Sequence, residues 1–233
     1  MLAIYEKEMK AYFHSILAYL FLALFWAAAA IYFTVYCLSY GLMDFGGYVF
    51  GSITLLFLVI VPILTMRLVA DEKKQKTDQL LITSPLRMSE VILGKYLAVL
   101  TLFGIGVLGV LGYAVLLSFY GDLDWTTTLT AGLGYYLVGA VFLAMGTFFS
   151  CCTESQAAAA VVTVAAVLAC FLLPNLAGFH EGFAKVVNWL SPLDRYDRFI
   201  NGILDVSSII YYLSLVGLFL FFSVQNLEKR RWN

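Results

Sequence analysis

The residues of this chain that could carry chemistry are few. His14 and His180 stand far apart, with no Cys or His beside either. Cys37 and Cys170 lie inside apolar runs and Cys151-Cys152 are adjacent at the end of another, a distribution that fits neither a zinc spacing nor a secreted disulfide framework. They read as apolar packing. H-E-x-x-H is absent, and no serine at membrane depth has a His or Lys to serve as its base, which excludes the metal-dependent and serine proteases of membranes. Gly94-Lys95 is not a phosphate-binding loop, because Tyr96 follows where Ser or Thr is required and the earlier glycine is missing. No catalytic residue, cofactor ligand or metal ligand is therefore expected in this chain.

What remains is one polar stretch, Arg67 to Lys95, which holds six of the fourteen Lys and Arg residues and four acids between long apolar runs. Its setting follows from composition. The chain has 233 residues, of which 62% are hydrophobic and 12% charged, with a mean hydropathy of +0.90. Soluble domains carry roughly twice that share of charge, so the fold class predicted is an all-α integral membrane protein. A net charge of −1 with no basic cluster beyond what topology needs predicts no nucleic-acid partner.

Residues 1–14 place Leu2, Tyr5, Met9, Tyr12 and Phe13 opposite Glu6, Lys7, Lys10 and His14, the pattern of an amphipathic helix on the membrane surface. The uncharged run that follows, 15 to 43, reads as a retained span and not as a signal peptide. Further uncharged runs predict six transmembrane helices in all, at about 15–42, 47–70, 92–120, 126–152, 155–175 and 206–227, within a single transmembrane domain, 1–233. With the N-terminus inside, eleven Lys and Arg fall on the cytoplasmic side and three outside, so both termini and the 71–91 segment are expected in the cytoplasm. Segment 176–205 is too long for a turn and too polar for a span, and predicts two outer interfacial helices. Trp125 and Trp189 form an expected outer aromatic belt, with Trp232 as an inner anchor.

Small residues cluster at Gly104, Gly106, Gly109 and Gly112 and at Ala157 to Ala160, Ala165, Ala166 and Ala169, which predicts close helix packing. Pro62 should kink the second span. No charge is central in any span, which disfavours a proton-coupled carrier.

Within 71–91, a helix is expected to continue from the second span through Leu81, with Glu72 and Lys76 paired at i, i+4. Ser84-Pro85 then forms a hinge: proline disfavours the α conformation for Ser84, while Ser as N-cap and Pro at the first position start the next helix. The result is an elbow with an apolar tip at Leu80, Leu81 and Ile82. Topology alone accounts for its charges; an ordered elbow with an apolar tip points to docking into another protein.

Glu72-Lys73, Thr77-Asp78-Gln79-Leu80-Leu81, Thr83-Ser84-Pro85 and the E-x-x-x-G-K of Glu90 to Lys95 resemble the cytoplasmic signature of type-2 ABC exporter permeases. Leu190 to Leu193 and Phe199 to Val206 are similar to the branch named for gliding-motility permeases. The likeness runs over essentially the full length. It implies a transmembrane permease subunit that couples hydrolysis by a separate ATPase to movement of a substrate across or out of a bacterial-type cytoplasmic (inner) membrane. Glu72, Thr77, Asp78, Gln79, Leu80 and Leu81 would form the coupling helix that docks on the ATPase, with Thr153, Glu154 and Ser155 as a second contact. Gln79 stands where a Glu is common and Lys76 where a Gly is common, so no specific salt bridge from that acid is expected. The implied partners are two ABC ATPase subunits, which bind the ATP and Mg, a second permease in a homodimer or heterodimer, the lipid bilayer and an auxiliary outer protein. The rival expectation is a membrane anchor or scaffold that transmits ATPase-driven force without moving a solute.

Overall fold

Helices that are apolar all round can bury themselves only against one another or in lipid. The computed structural model describes residues 1–74, 87–176 and 191–232, and every regular element among them is helical. In chain order these are α1 (Leu2–His14), α2 (Ile16–Tyr32), α3 (Phe57–Thr65), α4 (Ala70–Lys74), α5 (Met88–Ser118), α6 (Trp125–Cys152), α7 (Gln156–Leu176), α8 (Pro192–Ile200) and α9 (Val206–Trp232). Among the described residues five crossing segments are long and apolar enough to span a bilayer, Ile16–Ser39, Gly46–Lys73, Met88–Ser118, Trp125–Cys152 and Val206–Lys229, while the expected span at 155–175 corresponds to a shorter apolar helix. The apolar helix α7 stands beside them. The chain is an all-α membrane protein, as its uncharged runs predict.

Two crossing segments are irregular. α2 passes into a π-helical stretch, Phe33–Ser39, and α3 is preceded by a π turn at Gly46–Phe50, one α turn at Gly51–Ile53 and a 3₁₀ turn at Thr54–Leu56. Such turns displace backbone groups from their helical partners, and lipid offers no replacement. Side chains supply it here. Thr54 Oγ1 donates to the Phe50 carbonyl at 2.8 Å, and the Tyr135 hydroxyl reaches from α6 to the Ile53 carbonyl at 3.3 Å.

Pro62 lies inside α3, which ends three residues later. A turn occupies 66–69 before α4 begins, so the second span does not run unbroken into Arg67–Lys74 as the sequence suggests. Lys76, the expected partner of Glu72, and the remainder of the elbow, Thr77 to Leu81 with Ser84 and Pro85, lie outside the described residues.

α6 is the centre of the bundle: 72% of its apolar window is buried, against 28% for Val206–Lys229. Phe25, Phe57 and Phe103 converge on its Tyr135, with Phe57 stacked on that ring at 4.6 Å between centroids. Three of the four glycines of the third predicted span serve packing, while Gly112 is exposed with nothing against it. Gly106 faces Phe25 and Gly109 faces Trp26, whose indole N–H donates to the Gly106 carbonyl at 3.0 Å. In the alanine-rich stretch only part turns inward: Ala159 is buried, while Ala157, Ala158, Ala165 and Ala169 are exposed.

At the end of the bundle away from both termini, α8 presses Tyr196 and Phe199 into the core against Gly134 of α6. Ser191 caps it and Pro192 takes its first position, as Ser-Pro predicts. The Tyr212 hydroxyl donates to the Pro192 carbonyl at 2.7 Å, which ties α8 to α9. Its apolar residues thus meet protein, where the sequence suggested an interfacial position. The first expected outer helix and Trp189 lie outside the described residues.

Candidate functional site

The end of the bundle that carries both termini gathers most of the described Lys and Arg side chains, and it is where the 75–86 segment leaves and returns. We call it the basic end. α4 forms one root of that segment and the start of α5 forms the other.

The first root is held from α6. The break at 66–69 leaves the first amides of α4 without helical acceptors. Ser150, fully buried on α6, accepts the N–H groups of both Val69 and Ala70 at 3.2 Å. A serine from a neighbouring helix therefore performs the N-cap that the local sequence lacks. One turn on, buried Lys73 donates to the Cys151 carbonyl at the end of α6. Arg67 and Asp71 make an exposed i, i+4 pair at 3.8 Å.

The second root is held by a buried cation. Lys95, one turn into the apolar part of α5, is 4% exposed and directs its ammonium at three oxygens: Glu8 Oε1 at 2.9 Å, Glu72 Oε1 at 2.8 Å and the Leu68 carbonyl at 2.8 Å. Glu8 and Glu72 are 13% and 18% exposed, and Lys7 stands 3.6 Å from Glu72 at the solvent side. A desolvated ammonium with three acceptors is the arrangement in which a buried charge is tolerated. Removing one partner from such a group typically costs about 3–5 kcal/mol.

α1 lies across both roots. The stripe that faces the bundle runs through Ile4, Glu8 and Tyr12; of the apolar face read from the sequence, Tyr12 is buried, Tyr5, Met9 and Phe13 are partly buried, and Leu2 is 77% exposed. Tyr12 donates to the Leu64 carbonyl at 3.0 Å, and burial, with the nearby Glu8 charge, pushes its pKa far up so that it remains a donor.

Of the residues singled out from the sequence, the structure brings Glu72 and the 153–155 turn to the same end, linked through Lys73 and Cys151. Glu154 and Ser155 are exposed. Thr153 and Gln156 have the spacing of a capping box for α7, yet Thr153 closes α6: its hydroxyl donates back to the Phe149 carbonyl at 3.1 Å, so it does not cap α7. Three anchoring positions escaped the sequence reading: Glu8, Ser150 and the inward role of Lys73. Only Glu8 left a signal, its i, i+4 spacing to Ile4 and Tyr12.

At the opposite end, a cavity of about 380 Å³ is lined by Asp44, Asp122, Asp124, Thr127, Ile200 and Asn201 among others. Asp124 is engaged as the N-cap of α6, and its bonds to Thr127 and Thr126 hold its carboxyl below the usual range. Asp44 accepts the Gly47 N–H at 2.9 Å. Among the described residues no group of His, Cys, Asp and Glu could hold a metal ion.

Residues 2–225 match the family model described as ABC-2 family transporter protein. No curated protein matches the chain.

Proposed function

The chain belongs to the ABC-2 family of transporter proteins, whose match covers residues 2–225, and from that membership we propose that it converts ATP hydrolysis by a partner subunit into movement of a substrate across or out of a bacterial-type cytoplasmic membrane. Family membership makes it a transmembrane permease subunit of an ABC transporter, in a family whose membrane subunits are generally not catalytic and work with a partner ATPase. With α7 as a sixth span beside the five long crossing segments, the chain would be half a transporter by the family's architecture, so two permeases, identical or related, would work with two ATPases that bind ATP and Mg. Both termini and the elbow at 71–91 face the cytoplasm, in line with the charge asymmetry. Leu190 to Leu193 and Phe199 to Val206 favour the gliding-motility-like branch, and 176–205 offers a surface for an auxiliary outer protein.

The observation that supports coupling most is the anchoring of both roots of the 75–86 segment. Ser150 and Lys73 fasten α4 to α6, and Lys95 fastens α4 to α5. A docking element transmits a displacement only if its ends are stiffly joined to the helices it must move. A solvated connecting loop needs no such anchoring.

Replacing both Leu80 and Leu81 with Asp tests the assignment. The double variant is expected to insert in the membrane normally while losing most of its copurifying ATPase. Undiminished assembly would remove the elbow from the interface. A reconstituted complex that hydrolyses ATP yet moves no lipid, peptide or drug would favour the force-transmitting scaffold instead.

A further inference from the structure

Glu8, Glu72 and Lys95 belong to three different elements, and at their meeting point α1, the break in the second span and the start of the third are joined by charge. We propose that Lys95 is a positioning residue that latches α1 to both roots of the 75–86 segment, so that displacement of that segment reaches the first span through α1. The proposal rests on the permease reading for the origin of the displacement, but not for the latch.

Three observations carry it. First, the contacts of α1 fall on a single helical stripe over two partners. A Cβ on Gly94 would stand 3.1 Å from Ile4, Glu8 meets Lys95 at 2.9 Å and Tyr12 meets the Leu64 carbonyl at 3.0 Å. Tyr5 adds a contact to Thr101 of α5 at 3.3 Å. A helix that only floats on the bilayer would turn its apolar face to lipid and its carboxylates to water. Here a carboxylate is turned inward.

Second, α1 has no slack toward the first span. Ser15 alone separates the two helices, in an extended conformation, and its side chain accepts the Leu17 N–H at 3.2 Å as the cap of α2. Rotation or tilt of α1 must therefore be felt at the start of α2. Third, the Leu68 carbonyl that Lys95 binds lies in the 66–69 break, where the second span changes from α3 to α4. Lys95 thus holds the joint itself as well as the two carboxylates on either side of it.

Amide exchange on the full chain in lipid nanodiscs, alone and in the complex with its copurifying ATPase, tests this. In the chain alone, Glu8→Gln is expected to raise exchange in 2–14 by about tenfold while leaving 68–74 near wild type. Lys95→Met should raise both, and Lys95→Arg should restore most of the protection of both. In the complex, a non-hydrolysable ATP analogue should alter exchange in 2–14 of the wild type but not of Glu8→Gln, while 75–86 responds in both. Unchanged exchange of 2–14 in Glu8→Gln and Lys95→Met would overturn the latch. So would an equal nucleotide response of 2–14 in wild type and Glu8→Gln. Absence of any nucleotide response at 75–86 would count against the permease reading, and the measurements on the chain alone would still decide the latch.

Discussion

Replacing Ser150 with alanine removes one oxygen that two amides share. The side chain is fully buried, and Val69 and Ala70, whose N–H groups it accepts at 3.2 Å, are 4% and 0% exposed. A buried donor left without an acceptor costs about 1–3 kcal/mol, which for two donors gives an interval of about 2–6 kcal/mol. Both bonds sit at the long edge of the N–H···O range, so the lower part of the interval, about 2–3 kcal/mol, is the expected loss. Because α4 is also held through Lys73 and Glu72, the loss should appear as local opening and not as global unfolding. At 1.4 kcal/mol per factor of ten, opening of the 66–74 stretch should become about 30- to 100-fold more frequent. Amide exchange in nanodiscs reads this directly, with peptides from the middle of α6 as the internal reference. Ser150→Thr keeps the oxygen and adds a methyl where there is no free space; it should lower thermal stability while leaving exchange at 66–74 low. Exchange at 66–74 in Ser150→Ala within threefold of wild type, with the reference unchanged, would refute the capping argument.

Gly139→Ala should destabilise the bundle although alanine is the better helix former, since its methyl would intrude on the Phe103 ring and lie 3.1 Å from Phe57. The helix gains about 1 kcal/mol and overpacking costs about 1–3 kcal/mol, so a lower melting temperature in detergent is expected, and a raised one would show that the rings yield freely. Asp205 caps α9: the Ser208 hydroxyl, the Ser207 N–H and Arg198 hold its carboxyl below the ordinary range. Its contribution is therefore present above the unfolded carboxylate pKa and lost as pH falls through the lowered folded value. Exchange around 201–209 should rise only in acid, while Asp205→Ala, which removes the cap, should be loose at neutral pH and insensitive to acid; a rise near neutrality in the wild type would contradict the assignment.

The five long crossing segments were legible because lipid imposes one rule on every residue of a crossing helix, and uncharged runs record it without reference to any neighbour. The Ser191-Pro192 start of α8 and the glycine face of α5 were legible for a related reason, since caps and close approaches are decided within one turn. The break at 66–69 was not. Its stability depends on Ser150, eighty residues away on α6, and nothing within 60–75 announces that an acceptor will be supplied from outside. Glu8 failed differently. Amphipathic reading sorts residues by polarity and assigned α1 an apolar lipid face, but a carboxylate can lie on the buried face once a cation such as Lys95 is there to meet it. Thr153 shows the limit of spacing rules, because its hydroxyl has two backbone directions open to it and takes the one that closes α6.

The latch at Lys95 is hard to explain as a device for stability. Taking three charges out of water costs several kcal/mol each before their attraction returns it, and apolar residues of the same volume often hold a helix end as well or better. The small energy such a cluster contributes on balance is therefore not the reason for its geometry. What charge provides is register: an ammonium with three fixed acceptors has one arrangement, whereas an apolar stripe can slide by a turn with little penalty. For a helix that only shields lipid, sliding would be harmless. For α1, joined to α2 through Ser15 alone, a slip of one turn would carry about 5.4 Å of error into the first span. A part that must pass a displacement from the 75–86 segment into the membrane cannot tolerate that error, and a buried ion cluster at its pivot is the kind of joint that prevents it.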